Sequence, residues 1–294
     1  MTTQGLLAGP ARSWLVVGGR GMLGTDVMRT LVDAGQRASA VGSADLDVRD
    51  AAACAAAVRG VDVVVNCAAW TAVDDAETDE AGAFAVNAVG PANLARACAA
   101  AQARMVHVST DYVFAGDATS PYASDAALAP RSAYGRTKAA GEWGARAEHD
   151  DVLVLRTAWL YGAHGSCFPR TIARALGQRD TLDVVSDQVG QPTWTVDVAR
   201  IAVELVALDA APGTYHATAG GQTSWHGFAR AVAQEVGTDP ARVRETDSAA
   251  FVRPAPRPAY SVLSRRTVRE AGVTPIGDWR ERFALAAPMV LHPA

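Results

Sequence analysis

The sequence is nearly devoid of lysine: of its 27 basic side chains only Lys138 is a lysine, and the rest are arginine. An excess of positive charge is missing too, since the formal net charge is −4 and the arginines are scattered along the chain. Without a basic stripe, neither nucleic acid nor an anionic membrane is expected as a partner. No apolar run approaches the length of a membrane span. The N-terminal stretch MTTQGLLAGPARS lacks a basic start, an adequate apolar run and a cleavage site, so no leader is expected and the cytoplasm is the expected location. Cys54, Cys67, Cys98 and Cys167 show no CxxC or Cys/His ligand spacing, and the six histidines form no HxxxH pattern. Buried thiols are expected, with neither disulfides nor a metal site. Internal repeats and long low-complexity linkers are also lacking.

What is present is an apolar chain of 294 residues, 49% hydrophobic and 20% charged, long enough for one large domain or two unequal ones. WLVV (14–17), RASAV (37–41), VDVVVN (61–66), RMVHVS (104–109) and DVLVLR (151–156) read as Val-rich strands. Between them lie helical stretches: one after the first glycine cluster, RDAAACAAAVR, DEAGAFAVNAVGPANLARACAAA, and one beginning near Ser132. Strands this uniformly apolar, alternating with helices, predict an α/β fold of Rossmann type, a doubly wound parallel sheet covered on both faces. From about residue 163 the pattern loosens, and RPAPRPAYS (253–261) cannot be a regular helix or central strand. The expected organisation is a dinucleotide-binding part over 13–162, completed by parts of 194–220, and a smaller, mainly substrate-binding part over 163–294.

Gly18, Gly21 and Gly24 form G-x-x-G-x-x-G at the first strand–helix junction. Such glycines permit a tight turn and close approach of the backbone to a pyrophosphate at a helix N-terminus, although a ligand-free turn uses the same residues. DLDVRD follows the second strand where an adenosine-binding acid is expected, with Asp47 the candidate; a helix N-cap is the other reading of Asp47. Gly42 and Ser43 stand where NAD-specific enzymes place an acid, and Arg20 can face a 2′-phosphate. NADPH is therefore the expected cofactor, with NADH a second candidate.

Tyr134 and Lys138 are four apart on the helix beginning near Ser132 and so share a face. Bringing a phenol from a pKa near 10 toward 7 takes roughly 4 kcal/mol. An ammonium about 4 Å away at an effective dielectric near 20 supplies about 4 kcal/mol. Tyr134 is thus a candidate general acid, Lys138 its electrostatic helper and a ligand for ribose hydroxyls, and Thr110, at the end of HVSTDYVF, a candidate to hold a substrate carbonyl. Taken singly, Tyr-x-x-x-Lys is also an ordinary surface pair and Ser-Thr after a strand an ordinary turn. Their order behind the glycine loop favours the site.

The set GGRGMLG, DLDVRD, NCAAWTAVDDAE, VNAVGPANLA, VHVSTDYVFAG, YGRTKAAGE, LRTAWLYG, SDQVGQPT and RPAYSVL resembles an extended short-chain dehydrogenase/reductase, specifically the dTDP-4-dehydrorhamnose reductase family, over residues 14 to 285. The resemblance implies a catalytic trio of Thr110, Tyr134 and Lys138. It implies a cofactor held by Gly18, Arg20, Gly21, Met22, Leu23 and Gly24, with Asp47 and Val48 at the adenine and Ala68, Ala69 and Asn87 as walls and support of the cleft. Val73, Asp111 and Trp159 would line the sugar pocket, and Arg257 would lie near the diphosphate. The implied reaction is NADPH-dependent reduction of the 4-keto group of a dTDP-linked 4-keto-6-deoxyhexose. Trp70 departs from the family by standing where an aromatic such as Tyr is common. Some relatives join dimers through magnesium; no matching acidic set is found here, so no metal is expected, and a homodimer is left open. Two rivals stand beside this reading: an epimerase or dehydratase of the same fold, and a non-catalytic cofactor-binding regulatory subunit. Dehydratases of this fold place Asp-Glu after the active-site Ser/Thr, whereas here Asp111-Tyr112 follows Thr110.

Overall fold

Strand β1 (Ser13–Val17) illustrates how the sheet is made: Trp14 and Val16 point to one face, Leu15 and Val17 to the other, and all four are buried. The same alternation, apolar on both sides, recurs in β3 (Val63–Asn66) and β5 (Val152–Thr157). A strand with two apolar faces needs cover on both. One face is covered by α1 (Met22–Asp33), through Leu23, Val27 and Leu31. The other is covered by α2 (Ala51–Ala57), α3 (Gly90–Ala101) and α4 (Ala133–Glu148), through Cys54, Leu94, Cys98 and Ala145.

The structure is a computed structural model and describes residues 11–292. Residues 1–10, most of the stretch read above as no leader, lie outside the described residues. With β2 (Arg37–Val41), β4 (Arg104–Thr110) and β6 (Gly213–His216), six parallel strands lie in the spatial order β6-β5-β4-β3-β1-β2. The chain reverses its direction of winding between β1 and β3, and ligands of such sheets bind at the carboxyl ends of the strands beside that reversal.

Between β5 and β6 the chain leaves the sheet to form α5 (Phe168–Leu176), then returns along α6 (Thr195–Ala207), whose Val198, Ile201, Ala202 and Leu205 pack beside α1. After β6 it forms α7 (Trp225–Glu235) and ends in α8 (Trp279–Leu291). A second core joins these later elements around Tyr161, Trp194, Phe228 and Phe283, with the Phe228 and Phe283 rings edge to face at 5.0 Å. A short parallel pair, Leu182–Val185 with Val243–Thr246, lies beside it. Among the described residues no helix is long and apolar enough to cross a membrane.

Two local expectations are corrected. The single helix read over 79–101 contains a π-helical segment, Ala85–Val89, before α3. There Asn87 accepts from the Trp70 N–H at 2.8 Å and donates to the Trp70 carbonyl at 3.1 Å, and a Cβ on Gly141 of α4 would come within 2.1 Å of the Asn87 carbonyl. The widened turn thus serves a side-chain clamp and a close helix approach. The N-cap reading of Asp47 is also wrong, because Asp50 caps α2 by accepting from the N–H groups of Ala52 and Ala53.

Candidate active site

At the sheet reversal, Gly18 adopts φ +74°, and a Cβ there would lie 2.6 Å from the Ala68 nitrogen at the end of β3. A Cβ on Gly24 would lie 2.3 Å from the Gly18 carbonyl oxygen. Only glycine lets these three backbone segments meet. Gly21 caps α1 with no side-chain hydrogen bond, so the first N–H groups of the helix keep their donors and the positive end of its dipole for an anion. These features fit a dinucleotide pyrophosphate.

On one side of the loop a cavity of about 490 Å³ is lined by Arg20, Gly42, Ser43, Asp47, Val48, Ala68 and Ala69. Arg20 lies against Gly42 and pairs with Asp45 at 2.9 Å. Asp45, passed over in the sequence reading, stands three residues beyond the glycine that replaces the usual acid. Asp47 accepts both arms of the Arg49 guanidinium, which holds its carboxyl down to about 2. Asn87 supports the cleft from behind and also donates to Thr137 Oγ1 at 3.1 Å.

On the other side a cavity of about 550 Å³ gathers Gly18, Gly21, Met22, Leu23, Gly24, Ala69, Val73, Thr110, Asp111, Tyr134, Lys138 and Trp159. Strand β4 delivers Thr110 at its carboxyl end, and α4, capped by Ser132 Oγ accepting from the Gly135 N–H at 3.0 Å, delivers Tyr134 and Lys138 one turn apart. The Thr110 hydroxyl lies beside the Tyr134 phenol. It donates to Asp111 Oδ1 at 2.9 Å and accepts from the Tyr112 N–H at 3.2 Å. A hydroxyl has one proton, and here it is committed to the Asp111 carboxylate. Holding a substrate carbonyl therefore requires the Thr110 O–H to turn.

The expected action of Lys138 on Tyr134 is not what the geometry gives. Burial pushes the Tyr134 phenol up to about 12, the neighbouring Thr110 hydroxyl opposes this, and Asp111 adds to it. The lysine, whose Nζ donates to the Val108 carbonyl at 2.7 Å, does not counter it, because an ammonium pushed down to about 8 has lost its charge before such a phenol ionises. Burial pushes the ammonium down to about 8 against the pull of Glu142 and then Cys67. Tyr134 is thus a firmly protonated phenol, a proton donor rather than a ready phenolate. Asp111 is buried, its carboxyl raised to about 6 mainly by desolvation, and its Oδ2 lacks a partner.

Trp159 has φ +48°, a left-handed conformation that a bulky side chain rarely adopts. Its ring stacks on Trp225 at 3.5 Å and packs so closely on Gly190 that a Cβ there would be 2.4 Å away. Trp225 and Tyr112 also line an adjoining cavity of about 550 Å³, and Arg257 lies in that one, not beside the trio. Arg257 pairs with Asp74 at 2.8 Å, and Asp74 also reaches Arg253 at 3.6 Å. Trp225 escaped the sequence reading because it belongs to no quoted motif, and Asp74, within NCAAWTAVDDAE, because its partner Arg257 lies far along the chain. Cys67 corrects another expectation: it is only partly buried and lines both cofactor-side cavities, while its thiol is pushed up to about 12. Among the described residues all four cysteines are free, and no group of three or more His, Cys, Asp or Glu could hold a metal ion.

Residues 12–290 match the family model of the RmlD substrate binding domain. The chain is 45% identical to the dTDP-4-dehydrorhamnose reductase of Streptomyces griseus, over 95% of this chain and 94% of that protein. It is 46% identical to a probable dTDP-4,6-dihydroxy-2-methyloxan-3-one 4-ketoreductase of Streptomyces antibioticus, over 95% and 97%. Among solved structures it resembles the dTDP-4-dehydrorhamnose reductase of Bacillus anthracis in complex with NADP, with a TM-score of 0.90, 29% identity, and coverage of 95% of this chain and 99% of that one.

Proposed function

Because the chain belongs to the dTDP-4-dehydrorhamnose reductase family, we propose that it is an NADPH-dependent ketoreductase acting on the 4-keto group of a dTDP-linked 4-keto-6-deoxyhexose. The observation that carries the assignment of residues is the convergence of Thr110, Tyr134 and Lys138 on one cavity floored by the glycine loop. When bound, the reduced nicotinamide supplies hydride to C4 of the sugar. Tyr134 gives its phenolic proton to the sugar oxygen, so hydride and proton together make the new hydroxyl. Thr110 turns its O–H from Asp111 toward that oxygen and orients it. Lys138, with donors to spare beyond the Val108 carbonyl, holds the ribose hydroxyls. Arg20 and the α1 N-terminus take the phosphates of the cofactor, while Val73, Asp111 and Trp159 wall the sugar. The part from residue 163 onward covers the sugar nucleotide, with Arg257 as its diphosphate contact. A cytoplasmic location and a homodimer belong to the same proposal, the latter to be tested by sedimentation.

Asp111-Tyr112 after Thr110 argues against a dehydratase, and the intact trio argues against a non-catalytic subunit. The deciding experiment is a panel of dTDP- and UDP-linked 4-keto sugars with NADPH, with product configuration read by NMR. Oxidation of NADPH coupled to a 4-hydroxyl product is expected with a dTDP-linked substrate. No turnover across the panel would refute the reading.

A further inference from the structure

Glu142 lies one helical turn beyond Lys138 on α4 and is 1% exposed. Its Oε1 accepts from Ser109 Oγ at 2.5 Å and from Arg156 Nε at 2.9 Å, and its Oε2 accepts from Arg156 Nη2 at 2.7 Å. Arg156, 3% exposed, gives its remaining arm to the Ser124 carbonyl at 3.0 Å and lies over the Phe114 ring at 4.9 Å. A buried ion pair gains little over a well-packed apolar pair, so its place in the fold asks for another reason. Position supplies one. Ser109 stands between Val108, whose carbonyl accepts the Lys138 ammonium, and Thr110, which lies beside Tyr134. One carboxylate therefore ties the strand carrying Thr110 to the helix carrying Tyr134 and Lys138.

Charge points the same way. Lys138 faces Tyr134 and Glu142 from its own helix, Cys67 from the end of β3, and His107 with the Val108 carbonyl from β4. Burial holds His107 neutral and the Cys67 thiol protonated. Among these neighbours Glu142 alone carries a full negative charge. Arg156 grips the same carboxylate from β5.

We propose that Glu142, oriented by Arg156 and Ser109, is a positioning residue that supplies the buried counter-charge of Lys138 and sets Tyr134 and Lys138 in register with Thr110. It rests on the functional reading above for the reaction it serves, but its physical core can be tested without turnover. Because Lys138 is the sole lysine, protein grown on isotope-labelled lysine carries one lysine side-chain NMR signal, and the titration of that signal reads its protonation directly. Losing the carboxylate charge favours the neutral amine, so in Glu142→Gln the midpoint should fall from near 8 by about one pH unit or more. The alkaline limb of kcat should move to lower pH with it, while KM for the sugar nucleotide changes little. The double variant Glu142→Gln, Arg156→Met leaves no buried guanidinium without its carboxylate, guards against loss of the fold, and should keep the lowered midpoint. An unchanged midpoint in either folded variant, or restoration of both midpoint and pH profile in the double variant, overturns the proposal. If wild-type protein reduces no keto sugar, the functional reading fails while the lysine titration still decides this one.

Discussion

At position 138 the side chain is 2% exposed and its nitrogen is fixed on the Val108 carbonyl, a site shaped for a compact cation. A guanidinium is planar and larger, so Lys138→Arg keeps the charge but displaces the donors that the proposed function gives to the ribose. A loss of about 2 kcal/mol in transition-state stabilisation, roughly 30-fold in kcat, is expected with the far-UV circular dichroism unchanged. Tyr134→Phe removes the proton donor and should fall further. Near-normal kcat for Lys138→Arg would show the lysine to be replaceable. The spacing of Tyr134 and Lys138 was legible because a helix puts residues four apart on one face. The direction of the ammonium was not, because it depends on a carbonyl of β4, thirty residues away in sequence. Nor was the burial of the Tyr134 phenol, which turns the expected depression into a rise.

The strand–loop–helix element of residues 13–33 is bounded by backbone contacts that no side chain can relieve. In Gly24→Ala the new Cβ would meet the Gly18 carbonyl oxygen at 2.3 Å and the Gly19 Cα at 2.7 Å. Overpacking of this kind costs about 1–3 kcal/mol. A lower melting temperature is expected, together with a rise of about tenfold or more in the Kd for NADPH if the loop yields by about 1.4 kcal/mol. Calorimetry of the apo and titrated protein measures both, and unchanged values would contradict the close packing. At the same element, Arg20→Ala should lower kcat/KM for NADPH by about tenfold or more, the weight of a charge-assisted hydrogen bond. It should improve use of NADH, because Asp45 is then free of its partner. Parallel kinetics with the two cofactors decide this, and an unchanged ratio would show Arg20 to be idle. Elements such as this were readable since each strand announces itself by a short apolar run between turns. The later part was not, because its two-residue strands pair segments far apart, as Val189 and Gly190 do with Ser224 and Thr223. Periodicity over a local window carries no trace of such pairings.

Across the whole molecule, Arg257 joins the later part of the chain to the loop after β3 through Asp74, and it borders the cavity next to the trio. Arg257→Ala should raise KM for the sugar nucleotide by about tenfold or more, as expected for a lost contact between a guanidinium and a phosphate, and leave KM for NADPH unchanged. Equal affinity for dTDP in both proteins would remove the arginine from the substrate site. The sheet itself has a further consequence, in time rather than in space. Its last strand, β6, lies against β5 but is translated only after α5 and α6. The ribosome reaches β6 roughly 55 residues after finishing β5, an interval of about 3–11 s at synthesis rates of about 5–20 residues per second. During those seconds the outer edge of β5, buried along its whole length in the finished protein, has no neighbour. A nascent chain is then most open to pairing with another of its kind. The hazard lies in the order of birth of the strands, and it ends when Gly213–His216 arrives.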